Sequence, residues 1–277
     1  MIYFRIDKIL LGWLALAAAQ IIAGMVIPVG SPVPPHAFEW LLATDFLIAA
    51  VIGVLAVRCD WFAWKLAAAL VMIPLAVNLV NMIEGAVFLK NAGGDWKRLI
   101  PNMVITYVLV LPAWRYIFGA GEPVPPHYSP LRQKFFGMLA WRFAVSDVLY
   151  LFLYFAAGAI IFPYVKDFYA TQTIPAAGTI VALQILLRGP VFIAVCLVLL
   201  RMLGLPRWTG SLAVGLAFTL VSGVAPLLMP NPYFPDSVRW VHFAEVTSSN
   251  FLFGAIVGLI WGPPGKVPAP LEMRTAA

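Results

Sequence analysis

Charge is scarce in this sequence. Of 277 residues, 11% are Asp, Glu, Lys or Arg, while 62% are hydrophobic. Soluble domains carry about 25% charged and about 45–50% apolar residues, so the polar surface here is too small to cover a water-soluble core. Disorder is excluded as well, because so apolar a chain does not stay solvated. Cysteine is nearly missing: Cys59 and Cys196 stand alone, with neither a disulfide framework nor metal-type spacing. Only three histidines occur, His36, His127 and His242, the first two in Pro-rich stretches. Haem held between paired intramembrane histidines is therefore excluded.

Several motifs are also lacking. No Gly-rich phosphate loop with a following Lys, no Gly-x-Ser-x-Gly elbow and no Cys-x-x-Cys is present. ATP-driven transport by this chain alone is excluded, and no cofactor or metal is assigned. The net charge of +6 comes without a basic run, so nucleic acid is not a partner; basic cytoplasmic loops account for the excess.

What the sequence has is long apolar runs. A hydrocarbon core of about 30 Å takes about 20 apolar residues per helix. Eight stretches qualify, at 9–29, 40–57, 64–88, 99–118, 142–163, 176–202, 208–229 and 241–261. Between them lie Ser31-Pro32-Val33-Pro34-Pro35, Gly93-Gly94-Asp95 and Pro230-Asn231-Pro232, which are turn chemistry. Trp40, Trp61, Trp64, Trp114, Trp141, Trp208, Trp240 and Trp261 fall at span ends, where interfacial aromatics belong. The fold expected is an all-α polytopic bundle of about eight transmembrane helices. Arg5 and Lys8 before the first run resemble a signal peptide, but the run continues through Val29 and exceeds a signal-peptide core.

Lys and Arg divide unequally between the loops. Arg5, Lys8, Arg58, Lys65, Arg115, Arg132, Lys134, Arg142, Arg201, Arg207, Lys266 and Arg274 fall on one side; Lys90, Lys97, Arg98, Lys166 and Arg239 fall on the other. The rule that positive loops stay inside places both termini in the cytoplasm of a plasma or inner membrane. The Pro-rich stretch at 119–137 reads as a cytoplasmic linker between a first half at 1–118 and a second at 138–277. Leu131–Met138 reads as a short surface helix within it. Ala23-Gly24-Met25-Val26-Ile27-Pro28 echoes Ala157-Gly158-Ala159-Ile160-Ile161-Phe162-Pro163, and 41–55 matches 186–200 at five positions. Chance similarity of apolar spans and a parallel four-plus-four repeat both account for this.

Polar residues inside the spans are the candidate site, because hydrocarbon should have rejected them. Arg188 lies about 12 residues, or about 18 Å, from either end of its span. Gln184 is one turn away, and Gly189-Pro190 follows. Proline removes a donor and clashes four residues back, so a broken helix beside a buried guanidinium is expected, as in transporter binding sites. Asp45 is the expected counter-ion. Asp147, Tyr150 and Tyr154 form a stripe expected to hydrogen-bond neighbouring helices. Asn78, Asn81 and Glu84 form a second stripe, and His242, Glu245 and Ser249 a third, with Asn250 alongside. The last two stripes are expected to line one outward-facing polar cavity. One His among two carboxylates is too weak a signature to assign a metal.

Three functions stay open from these residues. The first is binding or translocation of a small solute, ion or proton. The second is a membrane enzyme acting on a lipid-linked substrate, with Glu245 or Glu84 as general base and His242 as acid or ligand. The third is a non-catalytic assembly or sensor subunit. The expected partners are membrane lipids, a small solute or ion, and a further copy or subunit.

Overall fold

The computed structural model describes residues 6–28, 34–89, 95–119, 136–230 and 233–262. The linker at 119–137, apart from its ends, and most of the surface helix at Leu131–Met138 lie outside the described residues. The chain is an integral membrane protein: among the described residues there are eight helices long and apolar enough to span a membrane, and no strand. They are α1 (Ile6–Val26), α2 (Ala37–Arg58), α3 (Ala63–Phe88), α4 (Trp96–Phe118), α5 (Phe136–Tyr169), α6 (Ala177–Leu203), α7 (Arg207–Leu228) and α8 (Asp236–Trp261). Helices are the form these segments must take, since lipid offers no partner to an unpaired backbone amide.

Several helices extend beyond the apolar runs, α5 at both ends and α8 at its start by five residues or more. α5 continues through Pro163 to Tyr169; an internal proline forfeits one backbone bond without ending the helix. α8 begins at Asp236 because Arg239, which is buried, ties its first turn to the end of α7. Its Nη1 donates to the carbonyls of Leu227 and Leu228, both at 2.9 Å, and its Nε and Nη2 donate to Asp236. A cation at a helix C-terminus answers the unpaired carbonyls there. That structural role explains one positive charge on the sparsely charged side.

α1 packs on α2 and α4, and α3 on α4 and α2; α5 packs on α8 and α6, and α7 on α8 and α6. The two sets meet where α2 packs on α6 and α7, and α3 on the same two helices. Two of the tryptophans expected at the lipid interface are core residues instead. Trp114 is fully buried and donates Nε1–H to the Gly12 carbonyl at 3.1 Å; Trp261 is buried and donates to Ser146 Oγ. Position near a span end fixed their depth but not the direction they face. Cys59 and Cys196 are both free and buried.

The break expected at Gly189-Pro190 is a mild one, and a second of the same kind precedes Pro226. At Gln184–Arg188 and at Leu220–Val224 the helix widens into a π turn and carries on. In the first, the Gly189 amide donates five residues back to Gln184; in the second, the Ala225 amide donates five back to Leu220. Pro190 and Pro226 follow at once. With no N–H on the proline, slipping the preceding bond by one residue relieves the ring clash and keeps the helix continuous.

Candidate functional site

Arg188 closes the π turn of α6 and points at α3. Its Nη1 forms an ion pair with Glu84 Oε2, the side chains being 8% and 17% exposed. Its Nη2 donates to Asn81 Oδ1 at 3.1 Å. The guanidinium carbon sits 5.1 Å from the Phe192 ring centre and 6.0 Å from that of Tyr154, so aromatic faces cover it where no carboxylate does. The counter-ion is thus Glu84 and not Asp45. Depth along a helix allowed either acid; the side of α6 that Arg188 occupies decides for α3.

Gln184, at the start of the same turn and fully buried, completes the pair. Its Nε2 donates to Glu84 Oε1 at 3.1 Å, and its Oε1 accepts from the Tyr150 hydroxyl at 3.2 Å. Both carboxylate oxygens of Glu84 are therefore held, one by each end of the π turn. The Arg188 Nε–H is buried with no partner.

The network continues into α7 and α8 through a backbone group. Ser222 lies four residues before Pro226, so its carbonyl loses the amide an ordinary helix would supply. Asn81 Nδ2 donates to that carbonyl at 3.3 Å. Asn250 Nδ2 donates to Ser222 Oγ at 2.8 Å. One hydrogen-bonded line thus joins α8, α7, α3, α6 and α5. Asn81→Ala should be partly rescued by Pro226→Ala, which restores a donor to the freed carbonyl. The double-mutant cycle in thermal unfolding should give a coupling of about 0.6 kcal/mol, and at most about 1.7, as for polar contacts between membrane helices. Strict additivity would separate the two residues.

A second polar trio lies beside this line. His242 Nδ1 is 2.7 Å from Glu245 Oε2, and His242 Nε2 is 3.0 Å from the Tyr169 hydroxyl. With Glu245 ionised and the imidazole neutral, Nδ1 donates to the carboxylate and Nε2 accepts from the Tyr169 hydroxyl. The α3 and α8 stripes do not adjoin along a common seam: α3 packs on α2, α4, α6 and α7, and α8 on α5, α6 and α7. The tyrosines of α5 reach both: Tyr150 hydrogen-bonds Gln184 of the line and Tyr169 bonds His242 of the trio.

Of the ten residues singled out from the sequence, Asn81, Glu84, Gln184, Arg188 and Asn250 share the line, and His242 and Glu245 share the trio. The other three go elsewhere. Asn78 donates to Tyr107 of α4 at 3.3 Å, Asp45 accepts from Gln20 of α1, and Ser249 turns back to Val246 of its own helix. Tyr150 bonds a neighbouring helix, as its stripe implied. Asp147 instead presses against Gly189, where no Cβ could be accommodated, and its Oδ1 has no partner. Sequence reasoning missed Ser222 and Tyr169. Proline four residues on was the signal for the first; ending the fifth span at Pro163 hid the second. Among the described residues no group of three or more His, Cys, Asp or Glu side chains is placed to hold a metal. Compared with protein-family models, with curated proteins and with solved structures, the chain matches none.

Proposed function

We propose that this protein translocates protons, with Glu84 as the intramembrane carrier and Tyr169–His242–Glu245 as the group that exchanges protons with the outer aqueous phase. The observation that carries this is the Arg188–Glu84 pair, embedded in spanning helices and bonded through Gln184, Asn81, Ser222 and Asn250 to three further helices. Ionisable groups at such depth are costly, and proton relays are among their principal uses. The π turn supports the reading, since both residues that grip Glu84 sit on it, and such turns recur at functional sites. The excess of basic residues on the other side supports an outward position for the trio. The packing of α2 on α7 and of α3 on α6 supports a parallel repeat of two four-helix halves with these helices at its centre.

The test is proton entry into proteoliposomes carrying an internal pH-sensitive dye, driven by a potassium diffusion potential with valinomycin. Vesicles with the protein should acidify faster than protein-free vesicles. Glu84→Gln should return the rate to the protein-free level, and Glu245→Gln should slow it. Ser249→Ala, whose hydroxyl only meets its own helix, should leave it unchanged. No entry above the protein-free rate would end the proposal.

One observation favours a second reading. Glu245, His242 and Tyr169 form a carboxylate–imidazole–hydroxyl line, the arrangement that orients a general acid–base histidine. Turnover of a lipid-linked substrate, abolished by His242→Ala in vesicles that show no proton entry, would select the enzyme.

A further inference from the structure

Away from the Arg188–Glu84 line, two hydrogen-bonded side chains of the first half each keep one buried oxygen with no donor. Asp45 on α2 is 1% exposed. Gln20 of α1 donates Nε2–H to its Oδ1 at 2.9 Å. The remaining oxygen of each group, Asp45 Oδ2 and Gln20 Oε1, is buried and without a hydrogen-bond partner. An ionised carboxylate and an amide oxygen are both acceptors, so while Asp45 is ionised neither can satisfy the other. Nor does a cation compensate the charge. Among the described residues no basic side chain pairs with Asp45. The titratable group that feels it is Tyr107 of α4, whose hydroxyl accepts from Asn78. On α3 and α6 the charged side chains Glu84 and Arg188 pair with each other, and Arg201 of α6 pairs with Asp60.

We infer that Asp45 and Gln20 form a proton-binding site in which one proton on Asp45 Oδ2 is donated to Gln20 Oε1. A carboxylic acid and a carboxamide already joined by N–H···O close a second, antiparallel O–H···O bond between the two atoms left over. A single proton thereby satisfies both orphaned oxygens and removes the buried charge, whose isolation in hydrocarbon is costly. Releasing it breaks the O–H bond, leaves the electron pair on Asp45 and sends the proton to water. The two acceptors then oppose each other, so α1 loosens from α2 at this point. The site belongs to α1 and α2 and does not rest on the transport reading above.

Infrared spectroscopy of the purified protein tests this without any flux assay. In sodium-free buffer at neutral pH, a protonated-carboxyl C=O band should be present, shift down in D2O, and disappear at alkaline pH. Asp45→Asn should delete that band. Because the new amide donates to Gln20 Oε1 as the acid does, this variant should match the wild-type melting temperature at neutral pH. It should also keep that temperature at alkaline pH, where the wild type loses stability. If Asp45→Asn does not fold, Gln20→Leu gives the second readout. Removing the acceptor should shift the same band to higher frequency, and an unshifted band overturns the pairing. Absence of any protonated band assignable to Asp45 also overturns it. So does a sodium-dependent rise in melting temperature that Asp45→Asn abolishes, which would make the ligand a metal cation.

Discussion

Glu84→Gln is expected to destabilise the purified protein more than any other single charge removal in the bundle, and a second substitution, Arg188→Gln, is expected to restore most of the loss. The guanidinium stays protonated in any folded protein, so Glu84→Gln leaves a full charge in a site 8% exposed with no counter-charge, only neutral acceptors such as Asn81 Oδ1 and the new amide oxygen. Breaking a buried pair from one side costs about 3–5 kcal/mol, whereas replacing both members is often neutral. Arg188→Gln alone should cost less than Glu84→Gln, because an abandoned carboxylate can take up a proton and lose its charge. In detergent the expected order of melting temperature is wild type close to the double variant, then Arg188→Gln, then Glu84→Gln. If the double variant unfolds at the sum of the single losses, the two side chains act independently and the pair does not hold α3 to α6. Restored stability with proton entry still absent would separate the pair's structural work from its transport work.

The spans were legible because apolar length and turn chemistry are one-dimensional properties. Each of the eight helices overlaps the run that announced it. The polar positions inside them were legible for the same reason: an Arg, a Glu or an Asn is conspicuous among Leu and Val. What the chain does not spell out is azimuth. Asn78, Asn81 and Glu84 recur every three residues, but each step falls about 60° short of a full helical turn. That drift is why Asn78 turns to Tyr107 on α4 while Asn81 and Glu84 face α6. Asp45 failed as the partner of Arg188 on the same ground, since its face of α2 meets α1. Choosing a counter-ion requires knowing which helices are neighbours. That is set by packing of small residues and side-chain shapes, which depth arguments ignore.

Replacing Gly258 with Leu is the second substitution expected to have a large effect, and it acts through that packing. α7 and α8 cross with almost nothing between them. A Cβ on Gly258 would come within 2.6 Å of the Ser211 Cα, one on Gly254 within 3.0 Å of the Gly215 Cα, and one on Gly215 within 2.8 Å of the Phe251 carbonyl. Gly254 and Gly258 on α8, with Ser211 and Gly215 on α7, each repeat at four-residue spacing, the small-residue pattern that lets membrane helices approach closely. Lipid tails are as apolar as Leu, so close packing and polar contacts replace hydrophobic attraction as the adhesive. Here those contacts are Ser211 Oγ donating to the Ala255 carbonyl and Thr219 Oγ1 donating to that of Thr247 at 2.7 Å. The obstacle at Gly258 is backbone, which no rotamer change can move aside. Overpacking of this kind costs ~1–3 kcal/mol, and Gly258→Leu should fall at the upper end. Asn250 lies two turns back on the same face, so separating the helices also pulls it from Ser222 and cuts the polar line between α8 and α3. Gly85→Ala is the control. A Cβ there meets nothing within 4 Å, and replacing a helical Gly by Ala where there is room gains about 0.4–1 kcal/mol, although Gly85 adjoins Glu84 in sequence. Thermal unfolding in detergent should therefore show a large drop for Gly258→Leu and a small rise for Gly85→Ala. A wild-type melting temperature for Gly258→Leu would mean that the α7–α8 seam does not hold this half together, and that the position of Ser222 must be set by α3.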